Sequence, residues 1–167
     1  MSKILHGIQT LTGKITDILT SPSAQRLFDI FTASNPDRDG ESVFVRFVQN
    51  DSGGALTGGL GLIQKSTANL GYVRIPTGAT EVASQVIGVT PYDGGTYSLP
   101  DDQGGYVITH GPAKVISGGA FSKGDPLKID AAGKCVQAAV TVAVLANAEE
   151  AAGGADEVIK VIMRPNG

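Results

Sequence analysis

Histidine and cysteine are scarce in this sequence, and tryptophan is missing. The 167 residues include two histidines, His6 and His110, and a single cysteine, Cys135. One cysteine cannot form an internal disulfide, and this set is too small for a structural zinc site. We therefore expect no metal and no cofactor, and we interpret Cys135 as a small buried apolar side chain in a reducing compartment.

Charged side chains are also few. Thirteen basic and sixteen acidic residues make up 17% of the chain and leave a net charge of −3, against about 25% charged residues in typical globular domains. Without an excess of positive charge, neither nucleic acid nor an anionic membrane is an expected partner. No apolar run approaches the roughly 20 residues that cross a bilayer. The N-terminus does not resemble a signal peptide, so we expect synthesis in the cytoplasm.

No motif brings together the groups that catalysis needs. His110 is the only candidate base, the following Gly111-Pro112 predicts a turn between strands, and no Gly-x-Ser-x-Gly motif is present. Residues 58–66 differ from a phosphate-binding loop because Gln64 precedes the lysine. Residues 35–40 match part of a calcium loop, but Arg46 stands where such a loop needs glutamate. The sequence predicts a protein that is not an enzyme, with no catalytic, cofactor-binding or metal-binding residues.

What the chain does contain falls into two parts. The segment Ser34-Asn35-Pro36-Asp37-Arg38-Asp39-Gly40 is a cluster of turn-forming residues, which predicts a linker or an exposed loop. We place a boundary there. Residues 1–40 are predicted to form an N-terminal arm that is helical or ordered on binding, and residues 41–167 to form a β-domain.

The arm carries an apolar stripe with helical spacing. Residues spaced four and three apart lie on one side of a helix, and the stripe consists of Ile4, Ile8, Leu11, Ile15 and Ile18. Gly7 and Gly13 each cost about 1 kcal/mol relative to alanine, so this helix would be marginal alone. Ser21-Pro22 predicts the start of a second short helix that runs through Phe31.

Three interpretations of the stripe stay open. It covers the core of its own subunit, it packs against copies of itself in a small parallel bundle, or it belongs to an arm that orders on binding. We take the stripe as a candidate subunit or capsid interface. On that basis we expect Leu11→Asp, or deletion of residues 1–33, to leave the β-domain folded and to weaken assembly.

Short β-branched and aromatic runs, bounded by turn residues, fill the β-domain and predict strands. No helix-length segment separates them, which favours an antiparallel sandwich or small barrel with Gly-rich loops. The predicted strands cover residues 43–48, 70–75, 82–89, 106–109, 113–116, 126–129, 135–138, 140–146 and 158–163. The predicted core includes Val43, Val45, Phe47, Ile129, Val144, Val158 and Val161.

The last part of the chain, residues 113–167, has a recognisable order of turns and strands. Lys123-Gly124-Asp125 leads into a strand, Ala132-Gly133-Lys134 leads into the next, and an Ala-rich stretch with Gly153-Gly154 precedes a closing apolar strand. This order resembles the small capsid decoration, or cement, proteins of tailed bacteriophages. More narrowly, it resembles a β-rich group long known only as a domain of unknown function encoded beside major capsid genes.

The resemblance implies a structural virion protein on the outer capsid surface. Such proteins are commonly homotrimers, and they bridge neighbouring major capsid subunits against the pressure of packaged DNA. The implied partners are the major capsid protein and other copies of this chain, and Lys123, Gly124 and Asp125 form the family-like turn. The sequence departs from the pattern at Ala143, where glycine is frequent, and in its long N-terminal segment.

A second interpretation is a head-fibre or tail-associated adhesin that binds carbohydrate. Tyr92, Tyr97 and Tyr106 lie in or beside one Gly-rich region. Three tyrosines on neighbouring loops would form a small platform for a sugar ring. An aromatic content of only 5% argues mildly against this function.

Overall fold

The computed structural model describes residues 9–11, 13–19, 30–65, 71–77, 86–139 and 144–164. Within these residues the protein consists of β-strands and loops, with one 3-10 turn at Pro36–Arg38. The prediction of a mainly β protein is confirmed. The strands are β1 (Gln9–Thr10), β2 (Ile30–Asn35), β3 (Glu41–Asn50), β4 (Leu56–Thr57), β5 (Gly61–Gln64), β6 (Tyr72–Arg74), β7 (Val86–Val89), β8 (Ser98–Leu99), β9 (Gly104–Gly118), β10 (Pro126–Ile129), β11 (Cys135–Gln137), β12 (Ala146–Ala148) and β13 (Ala155–Met163).

The long strand β9 belongs to two closed rings of paired strands. Its N-terminal half pairs with β3 and, at Ile108, with Val89 of β7. From β7 the pairing continues through β5 and β6 and returns to β3. We call these five strands, β3, β6, β5, β7 and β9, the first ring.

The second ring closes on the C-terminal half of β9. This half pairs with β13, β13 with β12, β12 with β10 and β10 with β11. Cys135 of β11 then returns to Ser117 of β9. The pairs β1–β2, β3–β6 and β9–β11 are parallel and the other described pairs are antiparallel. The pairing is therefore mixed, where the sequence predicted an antiparallel sandwich or small barrel.

Two apolar clusters fill the rings. Adjacent residues of β9 serve different clusters, because successive side chains of a strand point to opposite faces: Val107 faces the interior of the first ring and Ile108 faces the second ring. The first-ring cluster is closed by Leu56 and Leu99 of the small two-stranded sheet β4–β8. The larger cluster joins the outer face of the first ring to the interior of the second, which holds the two rings together.

The predicted core is correct at five positions and wrong at one. Val43, Val45, Phe47, Ile129 and Val161 are all buried. Val158 is 38% exposed, because Ile159 and Val161 of the same strand face inward and alternation turns Val158 outward. Val144 is half-buried.

Residues 9–19 do not form the predicted helix. Gln9–Thr10 is strand β1, the Leu11 N–H donates to the Thr32 carbonyl at 2.8 Å, and the backbone groups of Leu19 and Gly104 exchange two hydrogen bonds. Glycine and threonine weaken a helix here, while a β2 edge is available for pairing. Of the second predicted helix, residues 21–29 lie outside the described residues, and Ile30–Asn35 is strand β2.

The turn at residues 35–40 is a partly exposed loop that anchors two buried side chains. Asn35 is 2% exposed and Arg38 is 8% exposed, and the turn joins β2 to β3, which pair along their full overlap. The predicted boundary at residue 40 therefore falls between two paired strands. Whether residues 41–167 fold alone stays a prediction.

The dipeptide Gly111-Pro112 does not separate two strands. β9 is continuous through it, from Gly104 to Gly118. Gly111 has φ of +100°, a conformation that glycine adopts without steric cost. It marks the point where β9 leaves the first ring and enters the second.

Candidate interaction surface

The groups considered for chemistry lie apart from one another. His110 is exposed on β9, where its ring meets Phe44 edge-on at 6.2 Å and its Nδ1 lies 3.3 Å from the Thr109 hydroxyl. Cys135 is fully buried in the second ring, and this burial raises the pKa of its thiol to about 12. Among the described residues, no group of three His, Cys, Asp or Glu side chains could hold a metal ion, and no helix has the length and apolarity to cross a membrane.

The family-like turn has the geometry that the resemblance requires. Gly124 has φ of +89° and open space around it. Asp125 fixes the turn, because its carboxylate accepts hydrogen bonds from the Ser122 N–H at 2.8 Å and from the Gln137 side chain at 3.0 Å. Lys123 is exposed and forms no ion pair with any described residue. The turn therefore presents a positive charge that no described residue pairs, on a backbone held by the hydrogen bonds of Asp125.

The second family-like turn docks against the first ring. Asp130 accepts hydrogen bonds from the N–H groups of Ala132 and Lys134, at 2.8 and 2.9 Å, and so closes the hairpin between β10 and β11. Gly133, with φ of +76°, accepts the Gly61 N–H of β5 through its carbonyl at 2.7 Å. The hairpin that Ala132-Gly133 predicted is thus confirmed.

The apolar stripe contributes to the subunit's own core. Ile15 is 1% exposed within the larger cluster, so it does not present an interface in this structure. Leu11 packs against the same cluster and Ile18 against the first-ring cluster. Ile4 and Ile8 lie outside the described residues. Of the three interpretations of the stripe, packing against the core of its own subunit agrees with the positions of Leu11, Ile15 and Ile18.

Arg38 is the buried charge that sequence reasoning missed. Its guanidinium donates to the carbonyls of Ala113 and Val161 at 3.0 and 3.3 Å and pairs with Glu149 at 2.5 Å. Glu41 lies 3.3 Å away. These contacts tie the β2–β3 turn to the second ring. A run of turn-forming residues carries no signal of such a distant partner.

The tyrosines do not form the predicted platform. Tyr97 and Tyr106 are 4% and 8% exposed, and burial raises the pKa of Tyr97 well above its usual value. Tyr92 is half-buried, with the Lys114 ammonium 6.0 Å from its ring centre. The large apolar side chains that the described surface does expose are Ile30, Phe44 and Val158.

Comparison with known proteins gives structural matches but no sequence match. No protein-family model matches the chain, and no curated protein sequence matches it. A crystal structure of the head fiber gp8.5 N base of bacteriophage phi29 is similar over 72% of this chain and 92% of that one, at 15% identity and a TM-score of 0.49. A likeness of this degree does not by itself assign a fold or a function.

Proposed function

We propose that this chain is a structural protein of a tailed-phage virion that binds the outside of the capsid and bridges neighbouring major capsid subunits. The observation that carries the proposal is the C-terminal unit. The segment that resembles decoration proteins folds as one closed ring, with Gly124 and Gly133 in the positive-φ turns that the resemblance places there. A clamp of this kind needs a stable β-body and exposed loops more than it needs a reactive group.

The exposed turn at Lys123 is the proposed contact with the capsid. Its charge is unpaired within the described residues, and Asp125 holds the backbone in place. A rigid turn loses little conformational freedom on docking, and binding repeated over many copies does not have to be strong at each site. We further propose that the chain acts as a homotrimer, as the resemblance implies.

Co-sedimentation with expanded, DNA-free capsids of the parent phage that lack this protein tests the proposal. We expect saturable binding and capsids that withstand a higher temperature. Lys123→Glu should weaken binding about tenfold, because it reverses a rim charge, whereas Lys160→Glu, at another exposed lysine, should change it little.

Two results would contradict the proposal. One is wild-type protein that stays in the supernatant at every concentration, and the other is bound protein that gives no gain in capsid stability. Sedimentation equilibrium of the free protein and copy counting on the capsid test the trimer separately. If the protein is a monomer in both settings, the proposed trimer is wrong, and the proposal of capsid binding is unaffected.

A further inference from the structure

An open groove runs beside strands β1, β2 and β3. Its volume is about 630 Å³, within the range of roughly 300 to 1,000 Å³ that is usual for small-molecule sites. Most of its lining side chains end in a hydroxyl or a charged group. Those on which the argument rests are Thr10, Lys14, Thr16, Thr32, Ser34 and Ser42.

Strand register places four of these hydroxyls on one face of the sheet. Thr10 lies opposite Thr32, and Ser34 lies opposite Ser42. Paired residues of neighbouring strands point to the same side, and the hydroxyl oxygens of Thr32 and Thr10 are 3.3 Å apart. The sheet therefore displays rows of hydroxyls across three strands.

Several of these groups have hydrogen-bonding capacity to spare. The Ser34 hydroxyl donates to the Gly40 carbonyl at 2.9 Å, which leaves its oxygen able to accept. Within the part of the chain that the structure describes, the hydroxyls of Thr16 and Ser42 and the ammonium of Lys14 make no hydrogen bond or ion pair. The carboxylate of Asp93 also lines the groove. A ligand rich in hydroxyls would find both donors and acceptors here.

An exposed aromatic ring stands beside these hydroxyls. Phe44 lies directly opposite Thr32 and two residues from Ser42, so it shares their face. Its side chain is 39% exposed and its ring is held edge-on against His110. Sugars combine apolar C–H faces, which stack on aromatic rings, with a rim of hydroxyls that hydrogen-bond to polar side chains.

We infer that this face, Phe44 with the hydroxyl-lined groove, is a binding site for an oligosaccharide of a few hexose units. The inference is independent of capsid binding. A protein partner fits less well, because five of the eleven described lining residues carry hydroxyls and two more carry charges, whereas the cores of interfaces are depleted of charged residues. Nucleic acid fits less well too, since the chain has a net charge of −3.

The probe is a glycan array of bacterial hexose and N-acetylhexosamine oligosaccharides, applied to the full-length protein and followed by calorimetric titration of the glycans that bind. We expect binding of at least one glycan class. Phe44→Ala should weaken it about tenfold. Ser42→Ala and Thr16→Ala should each weaken it severalfold, because each removes one hydrogen bond. Both serve as second variants if Phe44→Ala impairs folding.

Two positions outside the groove provide controls. Val158 is exposed to nearly the same extent as Phe44 but lies on β13, and Thr57 of β4, which is more exposed than Thr16, is the control for the hydroxyl changes. Val158→Ala and Thr57→Ala should leave glycan affinity unchanged. An empty array overturns the inference, as does glycan binding that all of these variants leave intact. Loss of capsid co-sedimentation in Phe44→Ala together with an empty array would identify the face as a protein-binding surface.

Discussion

The two rings each contain five strands, but the loops between their strands are fixed by different hydrogen bonds. In the second ring, Asp125 and Asp130 accept hydrogen bonds from N–H groups two to four residues away. In the first ring, the buried Asn50 donates from its amide to the carbonyls of Gly54 and Leu99, at 2.7 and 2.9 Å. The bonds of Asp125 and Asp130 stay within one turn, whereas Asn50 also reaches Leu99, 49 residues away. A turn held by near neighbours is visible in the sequence, whereas a contact with a distant residue is not.

The N-terminal strands sharpen this contrast. β1 and β2 extend the first ring at β3, and Phe31 of β2 meets Tyr106 edge-on at 5.9 Å. No described strand extends the second ring in this way. The first ring therefore depends on chain segments that come from both sides of residue 40.

The largest expected effect is at Arg38, which ties the first ring's β2–β3 turn to the second ring. Arg38→Ala removes the ion pair with Glu149 and the guanidinium hydrogen bonds to the carbonyls of Ala113 and Val161. Removing one partner of a buried ion pair typically costs about 3–5 kcal/mol. Because Glu149 is 36% exposed, the loss should lie low in that range, and the free energy of unfolding in urea should fall by about 3–4 kcal/mol. Arg164→Ala, at an exposed arginine, is the control. Equal losses in the two variants would show that Arg38 does not couple the rings.

Ile15 tests whether the N-terminal segment is part of the core. It is 1% exposed, and Ile→Ala at a buried site costs about 2–5 kcal/mol. We expect Ile15→Ala to lower the unfolding free energy by about 3 kcal/mol, while Ile30→Ala, at a side chain 37% exposed, changes it by less than about 0.5 kcal/mol. If the two variants change the unfolding free energy by the same amount, the segment is an independent arm, as the helical spacing of the stripe suggested.

Substitutions at Asn50 and Asp130 compare a buried amide of the first ring with a turn carboxylate of the second ring. Asn50 is fully buried, so Asn50→Ala removes the hydrogen bonds to the Leu99 carbonyl and from the Ser52 N–H and should cost about 2 kcal/mol. Asp130 is only half-buried, in a turn next to solvent, and Asp130→Ala should cost about 1 kcal/mol. Thermal melts of both variants at one protein concentration measure the difference. The reverse order would mean that the turn carboxylate of Asp130 contributes more to stability than the buried amide of Asn50.

The smallest effect is expected at the family-like turn. Gly124 has φ of +89° and no atom within 4 Å of the place of a β-carbon, so Gly124→Ala adds backbone strain without a clash. The cost should be about 1 kcal/mol. Gly119 also has open space but no positive φ, and Gly119→Ala should cost less. Equal denaturation midpoints for Gly124→Ala and Gly119→Ala would show that this turn does not require glycine at position 124.

Sequence reasoning succeeded where structure is set by near neighbours. The strands β10 and β11, the turns at Gly124 and Gly133, and the burial of Ile129 are all present in the structure as predicted. In the two turns the hydrogen bonds that fix the backbone lie within a few residues, so the residue pattern contains them.

It failed where distant contacts outweigh local preference. The stripe that includes Leu11 and Ile15 has helical spacing, yet pairing of β1 with β2 and burial against the larger cluster determine its structure. Arg38 looked like a turn residue because Glu149 is more than 100 positions away. Phe44 was taken as a strand residue like its neighbours, and its exposure depends on which face of β3 remains uncovered. None of these partners can be identified from spacing in one sequence.

The sharing of β9 has a mechanical consequence. Its fifteen residues run without interruption through both rings, so a pull on one ring reaches the other along covalent bonds as well as across the packed side chains between the rings. Between the rings, β3 and β13 hold opposite halves of that strand through antiparallel ladders, and a force along β9 would load those hydrogen bonds in shear, many at a time. A body built in this way transmits tension between two attachment points without first coming apart between them.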